Sequence, residues 1–352
     1  MPDLAIGLLG GLIVAVVALD IFRSLLVPRA SARWLRVGPL LTMTLFAGWQ
    51  AASSRIGDRQ LRQTMRASLA PLMLVLLLVI WATLLIIGFG LLFWADRADF
   101  APRFKTLGDA IYASGSAFST LGINNEVSNS LTRLMVLVCS ISGLAIVTVV
   151  ATFLISLQSG LGRREAMVLR LEAHVPLPPT GIAILETFAS EGVVERLGAF
   201  FDAWEQWAAE VAISHRAFPI LVFFRSNDSR CEWLAALGAV LDAAALLDAA
   251  VVDAPPGARA GAHFFLRTGA RLVTDVGDQF RVTAGTDTRA DDRFDEDRHR
   301  LAVAGFDLMN DADAARRRFA KRRTTYAAAL AALADRLQIE MDGQDTDRKR
   351  RT

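Results

Sequence analysis

The residues with the most distinctive chemistry lie between Leu107 and Asn125, LGDAIYASGSAFSTLGINN. About a dozen of them, Leu107 to Phe118, have the makings of a short helix. Thr120-Leu121-Gly122-Ile123-Asn124-Asn125 then follows in a form too irregular for helix or strand. A cation entering a membrane has to exchange water oxygens for others. Peptide carbonyls on an extended loop supply them without burying carboxylates. Aiming successive carbonyls to one side requires the backbone to alternate in hand, with positive φ at some positions. Gly122 adopts that freely, and Asn124 is among the few other residue types that tolerate it. The carboxyl end of the short helix carries partial negative charge and also favours a cation.

Such a loop needs elements that hold it at membrane depth, where irregular backbone is tolerated only if buried in protein or lining a watery cavity. No charged residue occurs from Ala67 to Ala95 or from Leu134 to Gly162, and both runs exceed the roughly 20 residues of a spanning helix. Leu4 to Val27 reads as a further span. Asp20 and Arg23 fall on one face near its end, where they can pair. The rival for this stretch, a cleaved signal peptide, would want a basic start, and the chain begins Met1-Pro2-Asp3. Residues 29–66 carry seven arginines around a charge-free middle, Val37 to Ser54, which is the bare minimum for a span. Crossing there would leave one arginine cluster outside, against the positive-inside bias. The segment is therefore read as basic and interfacial, anchored by Trp34 and Trp49. The topology expected is three spans and one re-entrant loop, amino terminus outside, in the cell membrane.

A half-length helix feeding a Thr-x-Gly turn between two spans resembles the pore helix and selectivity filter of the tetrameric potassium-channel superfamily. Against the pattern Thr-x-Gly-(Tyr/Phe/Leu)-Gly-Asp, Thr120, Leu121, Gly122 and Ile123 match, whereas Asn124 and Asn125 replace the second glycine and the aspartate. The departure leaves potassium selectivity open, and Glu126 could stand in partly for the lost charge. Further segments extend the likeness: Asp20-Ile-Phe-Arg23, Val27-Pro28-Arg29, Ser214-His215 to Pro219, Phe223-Phe224-Arg225-Ser226 and Trp233-Leu-Ala-Ala-Leu. Together they resemble a bacterial ion-channel family of one-pore-domain proteins, commonly called potassium channel family proteins, over roughly Asp20 to Val251.

The resemblance implies an all-α membrane protein. An N-terminal transmembrane helix (1–28) and a basic segment (29–66) precede a potassium-channel-like pore domain (67–162). A helical cytoplasmic domain (163–341) and a disordered tail (342–352) follow. It implies a homotetramer in the lipid bilayer passing potassium or another monovalent cation, since one loop cannot close a ring. In the last span Gly143 is either a hinge or a packing residue. Thr148, Thr152 and Ser156 either line the cavity or aid packing. The rival reading, suggested by Asn124 and Asn125, is a membrane-anchored scaffold or sensor that keeps this architecture without conducting.

Beyond Arg163 the chain turns polar and helical in pattern: 197–211 is amphipathic, 232–252 is alanine-rich, 261–282 is a further helix and 311–339 a final long one. Two distant cysteines give no disulfide framework, and four histidines have no ligand spacing. The acidic group Asp291, Asp292, Asp295, Glu296 and Asp297 alternates with arginines and reads as a solvated face. No phosphate-cradling glycine loop follows a strand, so no nucleotide partner is expected. The small net charge of +2 gives no support for nucleic acid, and no nucleophile–base pattern points to an enzyme or a bound cofactor.

Overall fold

A computed structural model describes residues 2–25, 59–226, 230–280, 293–337 and 339. Most of the basic segment and the tail after Ile339 lie outside the described residues. The chain divides into two units, Met1–Gln158 and Ser159–Thr352. The described residues are overwhelmingly helical, with one two-stranded ribbon.

In the first unit, α1 (Pro2–Leu25) packs along α2 (Arg59–Ala95). Helix α2 begins well before Ala67, and its first residues, arginine, glutamine, leucine and methionine, are good helix formers. A short helix, α3 (Leu107–Phe118), packs on α2, and the long α4 (Ser130–His174) follows. Strands β1 (Phe100–Ala101) and β2 (Glu126–Val127) pair antiparallel on either side of α3. Large apolar side chains point outward along α1 (Leu4, Leu8, Leu12) and α4 (Leu137, Ile141, Leu144). Three helices here are long and apolar enough to cross a bilayer.

Helices in lipid gain little from excluding water, so they associate by close packing at small residues. A Cβ on Gly10 would lie 2.7 Å from the Gly88 carbonyl oxygen, which sets how closely α1 and α2 approach. A Cβ on Gly90 would sit 2.9 Å from Ile111 Cα, which does the same for α2 and α3. Gly143 is the tightest position: its Cβ would fall 1.8 Å from the Phe118 carbonyl oxygen. Helix α4 runs unbroken through Gly143. Asp20, expected to pair with Arg23, accepts from Trp81 Nε1 at 3.0 Å; the Arg23 side chain lies outside the described residues.

The second unit is built around α7 (Trp233–Ala250), which is also long and apolar enough to span but is 89% buried within the fold. Around it pack α5 (Gly181–Ser190), α8 (Ala258–Gln279), α10 (Ala312–Arg323) and α11 (Ala327–Leu337), while α6 (Leu197–Ala217) covers α8 and α9 (Phe294–Val303) covers α5. The single helix expected over 311–339 is two. Thr324 and Thr325 turn their hydroxyls onto the Lys321 and Arg322 carbonyls at 2.8 and 2.7 Å, competing with helix continuation. Tyr326 then buries its ring and donates to Asp242 at 2.6 Å.

Gly143→Ala tests the tightest contact. It is expected to destabilise the first unit by about 1–3 kcal/mol, the usual range for overpacking. Gly162→Ala, inside the same helix but where an added Cβ meets nothing, should instead stabilise by about 0.5–1 kcal/mol through helix propensity. Thermal unfolding of the detergent-solubilised protein reads both, and equal midpoints would mean that α4 does not meet α3 there.

Candidate functional site

Helix α3 starts with a reciprocal capping box. The Thr106 hydroxyl accepts from the Asp109 N–H at 3.2 Å, and the Asp109 carboxylate accepts from the Thr106 N–H at 2.8 Å. The Thr-x-x-Asp spacing of Thr106 and Asp109 is the sequence signal for this box. Buried Ala110, Ala113, Ser114 and Ala117 face the unit's core, and the Ser114 hydroxyl donates to the Ile86 carbonyl at 2.8 Å.

The helix ends in a Schellman motif. The Leu121 N–H donates to the Ser116 carbonyl and the Thr120 N–H to that of Ala117, each at 3.0 Å. This places Thr120 in the left-handed position usually held by glycine, with φ of 63°. Gly122 follows with φ of 89°. The alternation of backbone hand therefore falls on Thr120 and Gly122, and Asn124, expected to take part, has no positive φ. The helix termination decides this, because its two closing bonds fix the hand at Thr120.

Two further side chains hold the turn. The Ser116 hydroxyl donates to the Gly122 carbonyl at 2.6 Å, and Asn125 Nδ2 donates to the Pro102 carbonyl at 2.5 Å. Sequence reasoning missed Ser116, which carries no motif of its own. Among the described residues the carbonyls of Thr120, Leu121, Ile123 and Asn124 have no donor, and Leu121 is 83% exposed. Glu126, considered as a brace, sits exposed on β2 opposite Ala101. On α4, Thr148 and Thr152 are exposed, and with Ser156 they donate to the carbonyls four residues earlier at 2.9–3.0 Å.

In the second unit the segments quoted for the resemblance converge on Arg164, which is 1% exposed. Its guanidinium donates to the Leu221 and Phe224 carbonyls at 2.9 and 2.7 Å, pairs with Glu165 at 2.8 Å and lies 5.3 Å from the Trp233 ring centre. His215 Nε2 lies 3.4 Å from it. Ser226 and Glu232 close the cluster: the Trp233 backbone N–H donates to Ser226 Oγ, and the Ser226 backbone N–H donates to Glu232, each at 3.0 Å. Burial, helped by the Arg164 charge, pushes the His215 pKa down to about 3. His215 is a neutral core residue. Burial likewise raises the Glu232 carboxyl, against the pull of Arg225. Of the acidic group, Asp295 pairs with Arg316, and burial raises the Asp297 pKa to about 6. Asp291 and Asp292 lie outside the described residues, and no cluster able to hold a metal occurs among those described.

These features define an all-α membrane protein with a helical second unit. Over 218 residues the chain is 26% identical to an uncharacterized membrane protein, YdjJ, of Bacillus subtilis (strain 168), a match covering 60% of this chain and 62% of that one. The chain thus spans less than two thirds of that relative's length. No family model matches the chain, and no solved structure matches it.

Thr120→Gly should stabilise the first unit by about 1 kcal/mol, since a β-branched residue is costly at positive φ. Hydrogen exchange of the α3 amides would show it as slowed opening. No change would place Thr120 in ordinary backbone. For His215 the folded pKa lies below the unfolded value of 6.5. Its contribution is therefore complete above pH 6.5 and is lost as pH falls towards about 3. Below pH 6.5, exchange over α6 should accelerate in the wild type by up to about 1.4 kcal/mol per pH unit relative to His215→Asn, which cannot protonate. Glu232 acts with the opposite sign in both proteins and cancels in the difference.

Proposed function

We propose that the protein is a tetrameric cation channel of potassium-channel-like design. In this reading α2, α3 with its turn, and α4 form the pore domain, and residues Thr120 to Asn125 form the filter. The observation that carries it is the half-length helix α3, set between two long apolar helices and ending in a left-handed turn with unpartnered carbonyls. In hydrocarbon those carbonyls would each cost several kcal/mol. Four copies around an axis would turn them to a partly dehydrated monovalent cation in place of its water. Helix α4 would line the inner cavity with Thr148 and Thr152, both of them exposed. The arginine distribution favours an external amino terminus and a cytoplasmic second unit. The membrane location of the Bacillus relative agrees with this reading and adds nothing about conduction.

One observation favours a second reading, a membrane-anchored scaffold or sensor that does not conduct. The Gly122 carbonyl, which a conducting filter would offer to the ion, is held by the Ser116 hydroxyl. Planar-bilayer recording of the purified protein separates the two readings, and reversal potentials in potassium against sodium give the selectivity. Conduction predicts unitary currents whose open probability rises in Ser116→Ala, because the Gly122 carbonyl is released. Silence of both proteins, with the oligomer intact, would favour the scaffold.

A further inference from the structure

The second unit holds a cavity of about 600 Å³ between the end of α4, α5 and the start of α6. That size lies within the range of small-molecule sites, which are mostly apolar with a few placed polar groups. Its floor is apolar, with Leu171, Phe188, Phe200 and Trp204 among the lining residues. Arg170 and Arg196 also line it, with Glu191 as the one lining carboxylate. Both are exposed, and neither is ion-paired among the described residues. Arg196 is the N-cap residue of α6 and supplies no side-chain cap, so the positive end of that helix dipole adds to its charge.

A hollow with an apolar floor and two guanidinium groups at its edge, neither held by a carboxylate among the described residues, suits a ligand with an apolar chain and an anionic head.

We propose that this cavity binds a single-chain amphipathic anion of the long-chain carboxylate class, its chain on Phe188, Phe200 and Trp204 and its carboxylate between Arg170 and Arg196. The site lies wholly within the second unit and does not depend on conduction.

The test uses the full-length protein in lipid nanodiscs, photolabelled with a long-chain fatty acid carrying a mid-chain diazirine, with labelled peptides quantified by mass spectrometry. Label is expected on peptides from residues 167–204. Replacing the acid probe by the matching alcohol should lower it about tenfold, the scale of one lost charge-assisted contact. The double variant Arg170→Gln/Arg196→Gln should do the same. Label on the membrane helices reports bulk partition and should not change. Ala199→Trp, at an exposed lining position, fills the hollow without removing charge and should lower the same label. Equal labelling by acid and alcohol, label that survives these variants, or no label at 167–204 overturns the proposal.

Discussion

The last carbonyls of a helix have no partner within it, and in the first unit the structure turns on how that demand is met after Phe118. The Schellman bonds satisfy Ser116 and Ala117, and the Ser119 N–H takes the Gly115 carbonyl at 2.9 Å. Ser116 takes Gly122 in turn. What is left is a short run of unpartnered carbonyls on a turn whose entry is fixed by helix termination and whose exit is tied by Asn125 and the β1–β2 ribbon. Such a turn is stiff at both ends and polar in the middle. In the channel reading proposed above, that stiffness would matter because carbonyls that replace a hydration shell work best when their positions need no reorganisation at the moment of binding.

The two units solve opposite problems. In the first, outward leucines gain nothing from turning inward, so approach is governed by what the backbone allows at Gly10, Gly88, Gly90 and Gly143. In the second, an alanine-rich helix apolar enough to span becomes the buried centre of a bundle. Helix α7 packs closely because its small side chains let neighbours approach: a Cβ on Gly181 would sit 2.6 Å from the Ala243 nitrogen. Hydropathy alone cannot tell these fates apart, since both helices meet the same length and composition requirement.

Charge is buried only where it is surrounded. Arg164 has carbonyls, a carboxylate and an aromatic face around one guanidinium, which offsets a desolvation cost that an unpaired charge could not bear. Arg170 and Arg196, a short way along the chain, stay exposed at the edge of the hollow and need no such enclosure.

Local chemistry set what the sequence could reveal. Charge-free runs fixed the apolar helices and the all-α membrane character, because length and hydropathy belong to a segment whatever it packs against. The bounds of the short helix, Leu107 to Phe118, were legible for the same reason: apolar spacing ended at a Ser-Thr-x-Gly turn. Tertiary structure decided the rest. The left-handed residues became Thr120 and Gly122 because helix closure constrains Thr120 and leaves Asn124 alone. The long terminal helix broke at Thr324 because Tyr326 reaches Asp242, 84 residues away in sequence. Arg164 acquired partners more than 50 residues distant, and the cavity arose between three helices none of which carries a motif. Periodicity and hydropathy describe one segment at a time, whereas hydrogen-bond partners and hollows exist only once segments meet.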